Sequence, residues 1–212
     1  MQSFASKAIR ITTVAFVVVL STLLVLLLYV PGRISDEAVS EAKTALASYL
    51  EAHPGETART LAVVDFSQPS YMKRMAIIDL NGGERTFHRV AHGRNSGQLY
   101  ASRFSDVPDS NTSSLGLFRV TRRYHGDHGL ALRLDGLDSL RNHNAAVRDI
   151  VLHEAGYVSI PYILLNLATL NGPMIGRSNG CFAVSRRDIV EVVAKLADGG
   201  FIYAWEVEEN MR

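Results

Sequence analysis

Residues 11–30 carry no charged side chain, and Thr12, Thr13, Ser21 and Thr22 are the polar residues among them. As a helix rising about 1.5 Å per residue, such a run spans roughly 30 Å, the thickness of a bilayer's hydrocarbon core. A buried core helix is the alternative, but a helix apolar on every face suits lipid better than a protein interior this close to a terminus. Lys7 and Arg10 precede the run, and Arg33 is soon followed by Asp36, Glu37 and Glu41. That asymmetry assigns the N-terminus to the cytoplasm and everything after about residue 33 to the far side.

A secretory signal has a shorter apolar region, about 7–15 residues, ending at a small-x-small site. Tyr29-Val30-Pro31-Gly32-Arg33 has no such site, and Ser40-x-Ala42 lies far downstream. The segment therefore reads as an uncleaved signal anchor, with a cleaved and secreted form as the alternative. The expected location is the inner (cytoplasmic) membrane, single-pass, with the body in the periplasm or otherwise outside.

Charge and cysteine content narrow what the exported part can be. Setting aside Lys7, Arg10 and Arg33 leaves 19 of the 22 basic residues against all 21 acidic ones, net −2. A slightly acidic body is not built to grip a nucleic acid or an anionic membrane surface. One cysteine in 212 residues excludes an intrachain disulfide framework. The 47% hydrophobic share is ordinary for a globular chain and excludes long disorder, collagen and coiled coil.

The chain divides into an anchor over 1–33, a spacer helix and linker over 34–60, and one domain over 61–212. Ser35 reads as an N-cap, with Asp36 and Glu37 in the first turn. Val39, Ala42, Leu46, Tyr49 and Leu50 recur at helical spacing until His53-Pro54-Gly55. Strands are expected at 61–66 and 75–80, the latter joined across Asn81-Gly82-Gly83 to 84–92 as a hairpin. Further strands are expected at 117–121, 130–134, 149–153 and 201–207, and the polar stretch 95–114 reads as a flexible loop over a site or an edge. A late helix is expected with Ser185 as its cap, Asp188 completing a capping box, and Ile189, Val192, Val193 and Leu196 as its buried stripe. The fold class is α+β, mainly β.

Cys181 ends the turn Gly176-Arg177-Ser178-Asn179-Gly180-Cys181. A free cysteine is often a small buried hydrophobe, but an exported thiol behind a polar, glycine-bearing turn suits a nucleophile. Gly180 permits close approach, so amides near Cys181 can face a developing oxyanion. A thiol nucleophile needs a base, and His153 at the end of Ile150-Val151-Leu152 is the candidate, against a histidine with no task at a strand edge. His153-Glu154-Ala155-Gly156-Tyr157 lacks the second histidine of a zinc-protease motif. His125 and His128 form an H-x-x-H that reads better as a solvated loop than as a metal site.

His153 followed by Ser178-x-Gly180-Cys181 resembles the signature of the L,D-transpeptidase (YkuD-like) catalytic domain. The resemblance extends over about residues 75–185. It includes Ile77-Ile78-Asp79-Leu80, Val90-Ala91-His92-Gly93, Ser113-Ser114-Leu115-Gly116, His128-Gly129-Leu130 and Leu132-Arg133-Leu134-Asp135-Gly136-Leu137, in the order of a divergent murein L,D-transpeptidase branch. It implies an L,D-transpeptidase-like β-sandwich or barrel, no cofactor and no metal, and peptidoglycan stem peptides as partners.

By that resemblance Cys181 attacks the carbonyl of a diaminopimelate–D-alanine bond. His153 takes the thiol proton, D-alanine leaves, and an amine resolves the thioester. Ser178 would orient His153, amides around Gly180 and Cys181 would hold the oxyanion, and Arg177 would bind a substrate carboxylate. Asn179, Arg133 and His128 stand on the substrate side. Two positions depart from the family pattern. Asn179 replaces a histidine or aromatic residue, and Glu154 replaces a small residue, where its carboxylate would raise the affinity of the imidazole for a proton. Hydrolysis of the same acyl-enzyme, as an L,D-endopeptidase or carboxypeptidase, and a wall-binding pseudoenzyme are the alternatives.

Overall fold

The computed structural model describes residues 2–207. They form two compact units that divide after Pro31. The first is α1 (Gln2–Leu28), whose stretch Ser6–Leu27 has a mean hydropathy of 2.4, long and apolar enough to cross a membrane; a signal sequence meets the same description.

The second unit opens with α2 (Asp36–Ala52). Ser35 caps it as expected, its hydroxyl accepting from Ala38 N at 3.0 Å. The helix is followed by β1 (Thr60–Asp65), β2 (Met75–Asp79), β3 (Arg85–His88), β4 (Gly116–Gly126), β5 (Gly129–Gly136), β6 (Val151–Ala155), α3 (Ile160–Ala168), β7 (Phe182–Ser185), α4 (Ile189–Leu196) and β8 (Gly200–Trp205).

The strands make one eight-stranded sheet in the order β3-β2-β1-β8-β4-β5-β6-β7, antiparallel except for the β1–β8 and β6–β7 pairs. Beyond β3 the chain crosses to the far edge, where Ala91 N donates to Ala183 O at 2.8 Å and Gly93 bridges Ser178. The two edges thereby approach, and the sheet curls into the expected barrel-like sandwich.

Period-two alternation sorts the side chains into two cores. Ala62, Val64, Ile202 and Ala204 face inward with Phe66, Phe118, Phe182 and the α4 stripe Ile189, Val192, Val193 and Leu196. Leu61, Val63, Phe201, Tyr203 and Trp205 face outward onto Ala38, Val39, Ala42 and Leu46 of α2. Glu41 fastens that helix, accepting from Tyr203 Oη at 2.5 Å and Trp205 Nε1 at 2.7 Å. Each large side chain so buried contributes about 1.5–3 kcal/mol of apolar transfer.

Several boundaries differ from the expectation, for local reasons. The strand expected at 149–153 is β6 at 151–155, because Asp149 sits at φ 49 and cannot extend it. Pairing of Glu154 with Val184 and Ala155 with Ser185 carries the strand on, so His153 lies inside a strand and not at its end. β4 runs past residue 121 through a register shift between Val120 and Arg122, out to the hairpin of Gly126 and Gly129.

Ser185 accepts from Asp188 N at 3.1 Å within a turn, while α4 starts only at Ile189. Asp188 makes no capping bond and instead faces His88 at 3.7 Å. α3 and β7 have no counterpart among the expected elements. The stretch 95–114 is tied down, with Ser96, Ser113 and Ser114 fully buried. Their hydroxyls bond groups within the fold, as Ser96 Oγ does in accepting from Ser113 N at 2.8 Å, while Asn95, Gln98, Ser102, Arg103 and Asp109 stay exposed.

Candidate active site

β6 and β7 run parallel, with Leu152 beside Phe182 and His153 beside Ala183. One place further back, the register brings Cys181 beside Val151. Cys181 and His153 therefore lie on neighbouring strands, on the same sheet face, two places apart or roughly 7 Å along the strand direction. Both line one pocket of about 860 Å³, together with Ser178, Asn179, Arg177 and His128. Gly180 and Arg133 do not line it.

The thiol donates to Asp149 O at 3.4 Å, the carbonyl of the residue held at positive φ. Among the described residues Cys181 and His153 share no direct hydrogen bond. Burial pushes the thiol above its ordinary range, outweighing the amides of Val151 and Cys181 and the charge of Arg148 that favour the thiolate. The resting group is a neutral thiol.

His153 is buried, and burial lowers its proton affinity. His128, its ring centroid 4.9 Å away, pushes in the same direction. Glu154 raises the affinity, as the sequence suggests, but burial wins and the imidazole rests neutral at pH 7. Its Nδ1 donates to Glu154 O at 2.8 Å, which leaves Nε2 as the free base.

Ser178 does not reach for the imidazole. Its hydroxyl donates to Cys181 O at 2.7 Å and accepts from Gly180 N at 3.1 Å, closing the turn that carries the thiol. The Gly180 amide, expected in an oxyanion hole, is thereby engaged, and the amides that face the sulfur are those of Val151 and Cys181. Gly180 itself sits at φ +121, where a Cβ would come within 2.7 Å of Thr112 O. Glycine is required there by conformation and by space.

The remaining substrate-side candidates separate. Arg177 Nη1 donates to Gly97 O at 3.0 Å and Arg94 O at 3.3 Å, so it braces the neighbouring loop. Arg133 stacks on Tyr124 at 5.5 Å and pairs with Asp149 at 3.4 Å, outside the pocket lining. Asn179 is exposed within the pocket.

The structure adds residues that the sequence alone does not single out. Tyr157 lines the pocket with its phenol pushed up to about 12, chiefly by burial and then by the neighbouring thiol. Arg148 donates to Thr112 O, Ser105 O and the Ser114 hydroxyl and faces Asp106, fixing the wall behind the turn that carries the thiol. Arg186, the residue after β7, lines the pocket beside Gly156. No motif spacing marks these three, because each reaches the pocket through tertiary packing.

The chain matches the model of the L,D-transpeptidase catalytic domain over residues 32–205. No curated protein matches it. Solved structures similar to it include an L,D-transpeptidase from Mycobacterium smegmatis, at 12% identity and a TM-score of 0.41, covering 70% of this chain and 59% of that one. L,D-transpeptidase 3 from Mycobacterium tuberculosis is similar at 14% identity and a TM-score of 0.40, covering 70% and 61%. An L,D-transpeptidase from Xylanimonas cellulosilytica is similar at 14% identity and a TM-score of 0.36, covering 75% and 68%. The chain spans about three-fifths of the length of the two mycobacterial structures. The family match takes in most of the sequence and nearly all of the second unit, and by it the chain belongs to the L,D-transpeptidase catalytic domain family.

Proposed function

We propose that this protein is a cysteine-dependent peptidoglycan L,D-transpeptidase, held by α1 at the inner membrane with its catalytic unit outside. The observation that carries the reading is the shared face of Cys181 and the neutral, singly oriented His153 in one pocket.

Nε2 of His153 takes the thiol proton as sulfur attacks the carbonyl of the diaminopimelate–D-alanine bond in a stem tetrapeptide. Negative charge on the carbonyl oxygen falls near the amides of Val151 and Cys181. The C–N bond breaks, His153 returns the proton to the leaving amine, and D-alanine departs from a Cys181 thioester. An amine of a second stem then attacks the thioester. Its proton passes to His153 and on to sulfur as the C–S bond breaks, leaving a new L,D cross-link.

Mass spectrometry of muropeptide tetrapeptides incubated with the detergent-solubilised chain tests this. Cross-linked dimers formed with loss of D-alanine, and absent with Cys181→Ala, are the expected products. Monomers released from existing cross-links would make the protein a hydrolase. An intact, alkylatable Cys181 without any product would overturn the enzymatic reading in favour of a wall-binding module.

A further inference from the structure

The hairpin of β4 and β5 outruns the rest of the sheet. β4 pairs with β8 over Gly116–Arg119, whereas its pairing with β5 continues to Gly126 and Gly129. Beyond Arg119 no described strand covers the other edge of β4. Arg122 and Arg123 stand on that free edge, exposed and without a hydrogen-bond or ion-pair partner among the described residues. The hairpin's other arginines are engaged, Arg119 by Glu56 and Asp135, and Arg133 by Asp149.

The positive charge is local. Residues 119–133 hold four arginines against Asp127 alone, in an exported body that is slightly acidic. Charged side chains on a free edge also guard it against pairing with another chain. Arg122 differs from a mere guard by its place relative to the thiol. The register aligns Arg122 with Arg133, Arg133 with Val151, and, one step before the Leu152–Phe182 pair, Val151 with Cys181. Side chains aligned in this way point to one face, so Arg122 and the thiol share it. Three strand spacings separate them, about 14 Å measured along the curled sheet.

Arg122 does not line the pocket, but Tyr124, two places along the same face, does. Arg123 has the same charge on the same edge. It pairs with Leu132, a core residue, and so belongs to the opposite face.

We propose that Arg122 is a docking contact for the peptidoglycan polymer, binding a carboxylate of a stem next to the one whose carbonyl reaches Cys181. This inference rests on the peptidoglycan reading above. A single stem in the pocket is held by the residues that line it. Arg122 faces the same side outside that lining, where a polymer presents its next stems with their free carboxylates. A guanidinium takes a carboxylate through two parallel hydrogen bonds, and salt weakens such a contact at an exposed site.

The test measures co-sedimentation of the full chain in detergent, carrying Cys181→Ala, with insoluble peptidoglycan sacculi. D-alanine release from a single soluble tetrapeptide is measured with Cys181 intact. Arg122→Gln is expected to weaken sacculus binding about three- to fivefold at low salt, the weight of one exposed pair, and less at high salt. Tetrapeptide turnover is expected to stay unchanged. Arg122→Lys is expected to keep part of the binding, and Arg123→Gln to keep all of it. Sacculi with amidated carboxylates are expected to bind the parent and Arg122→Gln alike.

Equal losses in Arg122→Gln and Arg123→Gln would reduce the effect to net charge and overturn the inference. Unchanged sacculus binding in Arg122→Gln would leave the arginine a guard of the edge and overturn it too. Arg122-dependent binding that survives amidation overturns the assignment to a carboxylate. Slower tetrapeptide turnover in Arg122→Gln would place the contact on the reacting stem instead of its neighbour. Arg122-dependent binding without D-alanine release keeps the inference and removes the transpeptidase reading, so the two fail separately.

Discussion

His153 Nδ1 donates to the carbonyl oxygen of Glu154, the next residue on its own strand, at 2.8 Å. A carbonyl only accepts, so the proton resides on Nδ1 and Nε2 keeps its lone pair. Because the acceptor is backbone, no side-chain replacement at 154 removes it. The carboxylate of Glu154 acts separately, by raising the proton affinity of the ring. Glu154→Gln is therefore expected to preserve turnover at neutral pH while moving the acidic limb of kcat/KM to lower pH. His128→Asn is expected to move that limb the other way, since His128 disfavours the imidazolium. A pH–rate profile of each variant checks the pair. Shifts in the same direction would refute this account of the dyad.

The thiol and imidazole both rest neutral, so Cys181 should behave unlike a preformed thiolate–imidazolium pair. Alkylation by iodoacetamide is expected to rise with pH about a midpoint above the ordinary thiol value of about 8.5. His153→Ala should leave that midpoint nearly in place while cutting turnover about 100-fold or more, the usual weight of a general base. Fast alkylation at pH 6 that depends on His153 would reveal an ion pair instead.

Ser178 closes the turn that carries Cys181, through Cys181 O and the Gly180 amide. Ser178→Ala is expected to cost about 1–2 kcal/mol of stability, as two short-range bonds are lost. It should slow acylation without moving the histidine limb of the pH profile. A shifted limb would instead restore the role the family resemblance suggests, orientation of His153.

The long apolar helix, the Ser35 cap and the hairpin at Asn81-Gly82 are legible in the sequence within a few positions, because caps, turns and apolar runs are local physics. What the sequence hides is the work of distant partners. Arg148 and Thr112 are far apart in the chain yet joined behind Gly180, and nothing in 95–114 says that Ser96, Ser113 and Ser114 are buried. Arg177 sits in the turn that leads to Cys181 and invites a substrate role, but Gly97 and Arg94 take donors of its guanidinium. β7 is four residues long, too short for a period-two signal, and its pairing with β6 is what fixes the geometry of the site.

Gly180 tests that hidden wall. Gly180→Ala asks an L residue to hold φ +121 with its Cβ 2.7 Å from Thr112 O. The expected cost is about 1–3 kcal/mol, with acylation lost beyond what the stability change explains, because the turn must lift the thiol out of place to relieve the clash. Equal acylation rates in Gly180→Ala and the parent would show that the turn tolerates other conformations.

Behind the same turn, His92 supplies the carbonyl that accepts from Ser178 N at 3.0 Å, while its ring is fully buried against Arg74. Arg74 Nη2 donates to His92 Nδ1 at 2.7 Å, so the ring is held neutral. Burial first, and then the Arg74 charge, lower its pKa to about 3. In the unfolded chain the value returns to about 6.5. Between these limits the unfolded state binds the extra proton, so stability is full above about pH 6.5 and declines as pH falls towards 3. The slope reaches at most about 1.4 kcal/mol per pH unit for one proton. Urea unfolding of the full chain in detergent, followed by the fluorescence of the sole tryptophan, Trp205 in the outer core, measures it. His92→Asn keeps an acceptor near Arg74 but cannot titrate. It is expected to lower the plateau at pH 7 and flatten the loss between pH 6.5 and 4, and parallel curves for the two proteins would refute the assignment to His92.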